Sequence, residues 1–224
     1  MDLKIKGKYA LVTGGTHGIG RSIALALAAE GCNVCVCSRD TGRVQTMAEE
    51  LKLKKIEHIS MQADVTVEND VKKVMKAIMD KWGTIHILIN NVGGGGRWGG
   101  ATVEDTSEKV WQEVYDKNVL SAIRFTKLAI PCMRKQKWGR VVTITSIFGR
   151  EAGGKPWFSM AKTAQTSFMK SLAIDHCLTR EGITFNSVAP GAIIIPDTGW
   201  AKSSRDNPEE TKEFVERELP LGRF

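Results

Sequence analysis

The chain has 224 residues, 42% of them hydrophobic, and a formal charge of +7, which suits one soluble domain with a real core. Its longest apolar runs, such as ALALAA and AIIIP, are too short to span a bilayer. The lysines and arginines are scattered, not gathered into the stripe of a nucleic-acid binder, so the surface reads as solvated and favourable to an anionic ligand. The opening MDLKIKGKYALVTGG has only a short apolar run before its glycines, unlike a signal peptide, and a cytoplasmic location is expected. Cys32, Cys35, Cys37, Cys132 and Cys177 are odd in number and read as buried reduced thiols, with no metal site expected.

KYALVTGG reads as a first strand ending in glycines, and GIGRSIALALAAEG as a helix closed by Gly31. Between them TGGTHGIG, Thr13 to Gly20, spaces Gly14, Gly18 and Gly20 as G-x-x-x-G-x-G. Glycines let the backbone approach a ligand closely, and the helix start beyond them offers free N–H groups and a positive dipole end to phosphate. A glycine turn placed between a first strand and first helix points to a dinucleotide. NVCVCS is the second strand, with Cys35 and Cys37 on one face and Val34 and Val36 on the other. After it, Ser38 and Arg39 precede Asp40. A guanidinium suits the 2′-phosphate of NADP, whereas Asp40 would read a free ribose, so NADP(H) is favoured and NAD(H) is the alternative. The plainer reading of Arg39 is a solvated surface charge.

RVQTMAEELKLK follows as a second helix, IEHISM as a third strand, and VENDVKKVMKAIMDKWG as a helix with apolar residues at helical spacing. IHILIN is a fourth strand. A helical region is expected from about Glu104 to Met133, interrupted at Pro131. GRVVTITS is a fifth strand, KPWFSMAKTAQTSFMKSLAIDHCLTREG a helix ending at Gly182, and ITFNSVAPG a sixth strand. IIIPDTGWAKSSRD reads as a loop. Asn207 as N-cap and Pro208 behind it start a helix that stops at Pro220. Trp98 and Trp200 read equally as pocket lining or surface packing. The strand and helix alternation implies a mostly parallel sheet covered on both faces, with ligands beyond the carboxyl ends of the strands.

Several motifs now stand in order, and the chain closely resembles the short-chain dehydrogenase/reductase family over essentially its whole length. TGGTHGIG resembles the family's cofactor motif, which implies contacts from Gly14, Thr16, His17, Gly18, Ile19 and Gly20. ADV resembles the segment where Asp64, followed by Val65, contacts adenine. NNVGG resembles N-N-A-G, placing Asn90, Asn91, Val92 and Gly93 by the cofactor, with Val92 in place of alanine. Asn118 in DKNVL matches the helix asparagine of the catalytic tetrad, and Ser146 in ITSI the catalytic serine. APG, with Ile193 beyond it, matches the loop beside the nicotinamide through Pro190 and Gly191. Each has a plainer reading: Asn90 and Asn91 satisfying backbone groups, Asn118 a buried hydrogen bonder, Ser146 a turn cap.

The resemblance implies an α/β fold, a Rossmann-type doubly wound parallel sheet with helices on both faces, lacking the usual C-terminal closing segment. It implies one NAD(P)-binding domain over 1–224 with a substrate lid over 192–218. The helices around 105–135 and 156–180 resemble the family's dimerisation helices, so a homodimer or homotetramer is expected. Within the family the chain is similar to reductases of 3-oxoacyl and related ketones, so the expected partner is a small carbonyl or alcohol, with no nucleic acid and no membrane.

The remaining family motif is Tyr-x-x-x-Lys. In KPWFSMAK the lysine is Lys162, but the tyrosine position is Phe158. In the family, hydride moves between nicotinamide and a carbonyl carbon, the tyrosine hydroxyl handles the oxygen's proton, the lysine binds the nicotinamide ribose and lowers the tyrosine pKa, the serine polarises the carbonyl, and the asparagine holds a water of the proton relay. Phenylalanine keeps the ring and deletes the acid. Three readings stand: a reductase whose proton comes from Ser146, Lys162, water or substrate; a catalytically silent NADP-binding scaffold or sensor; and a phenylalanine introduced to trap a substrate complex. A fourth makes Phe158 ordinary packing, on an apolar helix face with Trp157, Met160, Ala161, Ala164 and Phe168.

Overall fold

The computed structural model describes residues 2–151 and 153–224. The chain divides into two compact units, the first ending at Ala189 and the second spanning Pro190–Phe224. The first unit is built on one parallel six-stranded sheet of order β3-β2-β1-β4-β5-β6. Its strands are β1 Tyr9–Thr13, β2 Asn33–Ser38, β3 His58–Gln62, β4 Ile87–Asn90, β5 Gly139–Ile144 and β6 Ile183–Val188. The order reverses at β1, which pairs with β2 on one side and β4 on the other. A crevice opens beyond the strand ends at such a switch point.

The period-2 alternation of the strands sorts their side chains into two cores. Leu11, Cys35, Cys37 and Leu88 pack with Val71, Val74, Ile78 and Trp82 of α3 (Glu68–Trp82) and Phe125, Ala129 and Met133 of α5 (Ser121–Lys135). Ala10, Val12, Val34 and Val36 pack on the opposite face with Ala24 and Ala28 of α1 (Gly18–Ala29) and Met47 and Leu51 of α2 (Thr41–Lys52). The expected split of Cys35 and Cys37 from Val34 and Val36 is therefore what the sheet adopts. Burial pushes the Cys37 thiol up to about 12, so it behaves as a small apolar group.

Three boundaries differ from expectation. Pro131 does not interrupt its helix. α5 runs through it to Lys135, because Pro131 is solvent-exposed and the carbonyl it leaves without an amide belongs to exposed Lys127. The break comes earlier, at a π turn over Asp116–Leu120 that joins α5 to α4 (Glu108–Tyr115). The helix expected to reach Gly182 ends sooner. α6 spans Pro156–Ala173, and Asp175 then accepts the Cys177 N–H at 2.8 Å and caps a new short helix, α7, His176–Thr179.

In the second unit the stretch expected to be a loop contains α8, Gly199–Asp206. α9 follows over Pro208–Glu218; Asn207 stands at its N-cap position, but its side chain makes no capping bond. Trp200 stacks on Phe214 with ring centroids 4.4 Å apart, so its ring is committed to packing within this unit. No helix among the described residues is long and apolar enough to cross a membrane.

At the amino end of β1, His86 Nδ1 accepts the Tyr9 N–H at 3.2 Å, and the Tyr9 ring lies 5.0 Å from that of Trp82. Burial, helped by Lys8, pushes the imidazole down to about 4 from its ordinary 6.5. A group whose folded pKa is depressed binds more protons when unfolded, so stability rises with pH across that window. Melting temperature is thus expected to fall as pH drops from 6.5 towards 4, and His86→Gln to flatten that stretch of the curve. An unchanged acid limb in the variant would contradict this assignment.

Candidate active site

A cleft of about 360 Å³ opens at the carboxyl ends of β1 to β4. Its floor is the turn from Gly14 to the start of α1. Gly14 has φ +63°, a conformation that side chains rarely adopt, and a Cβ on Gly20 would lie 2.3 Å from the Gly14 carbonyl oxygen. The turn therefore folds on itself only as glycine, and this leaves the start of α1 open to a ligand. Thr13 at the end of β1 and Asn91 just beyond β4 brace it: Thr13 Oγ1 accepts the N–H groups of Asn91 and Val92, and Asn91 Nδ2 donates to the Thr13 carbonyl at 2.9 Å. Asn90 is buried, and its amide donates to Thr126 and Thr143. Gly14, Thr16, His17, Ser38, Arg39, Asp64, Val65, Asn91, Val92 and Gly93 all line the cleft. Asn90 braces it from beneath, while Gly18, Ile19 and Gly20 form the first turn of α1.

The cleft is cationic. Arg39 and Arg43 line one end and Lys117 another part of the wall. Asp40 is engaged at the start of α2. It caps α2 by accepting the Arg43 N–H at 3.0 Å, and its other oxygen lies 3.6 Å from Arg43 Nε. Asp64 accepts both the amide and hydroxyl of Thr66 and lies 3.9 Å from Arg39 Nη1. Burial and the Arg39 charge push Lys117 below the ordinary lysine range, with Asp64 opposing. Its ammonium sits 4.7 Å from the centroid of the Trp98 ring.

A second group gathers where α6 meets the π turn. Lys162 is 4% exposed, and its ammonium donates to the Ile144 carbonyl at 3.0 Å and to Gln165 Oε1 at 2.9 Å. Burial, then Lys117, lowers it to about 7. The Phe158 ring, one turn earlier, is half-buried with its centroid 5.7 Å from that ammonium. Asn118 is fully buried; its side chain donates to the Gly94 and Val114 carbonyls and accepts the Gly94 N–H. Gly93 separates them closely enough that a Cβ there would lie 2.8 Å from both Asn118 Oδ1 and Lys162 Nζ. A Cβ on Gly96 would press on the Phe158 ring at 3.3 Å. Ser146, at the end of β5, caps the 3-10 turn Ile147–Gly149 by accepting the Phe148 N–H at 3.3 Å. It lies two residues beyond the carbonyl that anchors Lys162.

The packing face of α6 is the one expected from sequence except at Met160: Phe158 and Ala164 pack against the cluster of Trp157 and Ala161, and Phe168 against the core under the sheet. Trp157 and Ala161 are buried with Val114 and Val119, whereas Met160 is 43% exposed. Phe158 thus lies at the margin of that cluster, beside the lysine. Arg43, Lys117 and Gln165 were not expected at the site. Arg43 lies in the first turn of α2, just beyond Arg39, and Lys117 directly before Asn118, so nearness in sequence offered a signal for both. Pro190, Gly191 and Ile193 lie at the start of the second unit. No cluster of metal-ligating side chains occurs among the described residues.

Compared with known proteins, the chain matches the model described as short chain dehydrogenase over residues 8–208. It is 33% identical to the 3-oxoacyl-[acyl-carrier-protein] reductase FabG of Staphylococcus aureus over 223 residues, covering 97% of this chain and 85% of that protein. It is 32% identical to a putative ketoacyl reductase of Streptomyces coelicolor, covering 97% and 84%. Among solved structures it superposes on L-sorbose reductase from Gluconobacter frateurii, complexed with NADPH and L-sorbose, with a TM-score of 0.89 and 28% identity, covering 100% and 86%. A variant actinorhodin polyketide ketoreductase with NADPH gives 0.87 and 29%, covering 97% and 85%.

Proposed function

This chain belongs to the short-chain dehydrogenase family, and from that premise we propose that it is an NADP(H)-dependent oxidoreductase of a ketone or secondary alcohol, with Lys162 taking over proton transfer. The carrying observation is the Lys162 ammonium itself. It is buried beside the ring that lacks a hydroxyl, and two of its three N–H groups are held by Ile144 and Gln165. The third has no partner among the described residues, and a group with a pKa near 7 is suited to act as acid or base at neutral pH.

Bound in the cleft, the dinucleotide would supply or accept the hydride. The glycine turn and the start of α1 would hold its pyrophosphate, Arg39 and Arg43 the 2′-phosphate, and Asp64 the adenine. Ser146 would polarise the carbonyl, and Lys162 would pass a proton to its oxygen and recover one from solvent. NADPH in two related structures supports the cofactor, as does an Asp40 already engaged in capping α2. A homodimer or homotetramer is proposed on the family resemblance. Phe158 also favours a second reading, a silent NADP-binding protein, since the family's acid is missing.

A ketone panel assayed with NADPH tests the proposal, and turnover that disappears in Ser146→Ala is the expected result. For the cofactor, Arg39→Asp with Arg43→Ala is expected to weaken NADPH binding at least about 10²-fold while changing NADH binding little, since two charge-assisted phosphate contacts are lost. Equal weakening of both in a fluorescence titration would remove these arginines as phosphate readers.

A further inference from the structure

Gln165 is a fully buried polar side chain, and among the buried residues of α6 it and Lys162 are the two polar ones to stand beside Trp157, Ala161 and Met169. Its place follows from the π turn. There the Ser121 N–H reaches the Asp116 carbonyl, and the Lys117 carbonyl is taken up by Ser121 Oγ at 2.7 Å. The side chain of Asn118 is committed to Gly94 and Val114. What Asn118 offers to α6 is its backbone carbonyl, which accepts Gln165 Nε2 at 2.7 Å, while Gln165 Oε1 accepts the Lys162 ammonium at 2.9 Å.

We propose that Gln165 is a positioning residue for Lys162: the Asn118 carbonyl fixes one end of its amide, so that the other end must accept from the ammonium. An amide carries a donor end and an acceptor end that cannot be exchanged without a flip. The flipped amide would set oxygen against the Asn118 oxygen and N–H against the ammonium, leaving buried groups unpaired. A water at the same place would be free to turn and serve either protonation state equally; the clamped amide presents only an acceptor, which bonds the ammonium more strongly than the neutral amine. It therefore opposes the neighbours that discharge the lysine. The charged group acting on Lys162 is Lys117 from the π turn. The Ile144 carbonyl from β5, Gly93 from the loop after β4, and the Phe158 ring are neutral.

The inference rests on the proposed role of Lys162 only for its catalytic consequence, and its test does not need turnover. The whole chain, without cofactor, is labelled with ε-¹³C lysine, and the Lys162 resonance is assigned by its loss in Lys162→Arg and titrated by NMR. Gln165→Met keeps the volume and removes the acceptor, so the titration midpoint is expected to fall by about one pH unit. Gln165→Glu puts a carboxylate against the ammonium, and the midpoint is expected to rise by at least about as much. Shifts of opposite sign support the clamp, whatever happens to melting temperature. Unchanged midpoints, or shifts of one sign in both variants, overturn it, leaving Gln165 as filling. Should the Met variant not fold, the Glu variant decides alone: a rise supports the proposal, and no change or a fall overturns it.

Discussion

Phe158→Tyr is expected to speed ketone reduction by NADPH by at least about 10²-fold, the lower end of what a positioned general acid contributes. The substitution keeps the ring and adds one hydroxyl. That hydroxyl would enter a site where the Lys162 ammonium stands 5.7 Å from the ring centroid and Gly96 places no side chain of its own against the ring. An ammonium at this range favours the phenolate and lowers a pKa that is ordinarily near 10. The wild-type enzyme is expected to turn over slowly but measurably, because hydride transfer, cofactor binding and Ser146 do not depend on the missing hydroxyl. Steady-state assays of both proteins on one ketone panel decide the matter. An inert wild type beside an active variant would end the claim that Lys162 supplies the proton. Two inert proteins that still bind NADPH would favour the silent binding protein.

Lys162→Met is expected to lower kcat/KM by about 10³-fold or more, since the substitution removes the proposed proton source. The pH profile separates this from a folding defect. With the free-enzyme ammonium near 7, the acid form needed for reduction is present below that pH and lost above it. Reduction should therefore fall as pH rises through about 7, and alcohol oxidation, which needs the neutral amine as base, should rise. The methionine variant should keep whatever residual rate it has without either limb. A wild-type reduction rate that stays flat through neutral pH would sink the assignment, because no charge change on Lys162 would then be limiting.

The fold was largely legible before any coordinates. Alternation in NVCVCS assigned opposite faces, and the sheet adopts them. The glycine turn was legible because it occupies a junction between a strand and a helix, where only glycine tolerates the backbone. Boundaries were harder. Pro131 is a helix breaker by intrinsic preference, yet its exposed position lets solvent serve the freed carbonyl, and the helix continues. The π turn has no comparable mark in DKNVL; it arises where the chain accommodates Asn118 against Gly94 and α6.

By itself, then, the order of residues determined the parallel sheet, the glycine turn at its carboxyl edge, the arginine after β2, and a phenylalanine at position 158. Those are properties of short windows, set by period, backbone freedom and side-chain type. Tertiary structure alone decided that Arg43 turns into the cleft, and that Lys162 is held between Ile144 and a glutamine tied to Asn118. The bonds to Ile144 and to Asn118 join segments far apart along the chain. Their energies depend on burial and on which groups are left needing a partner, and neither exists until the elements pack.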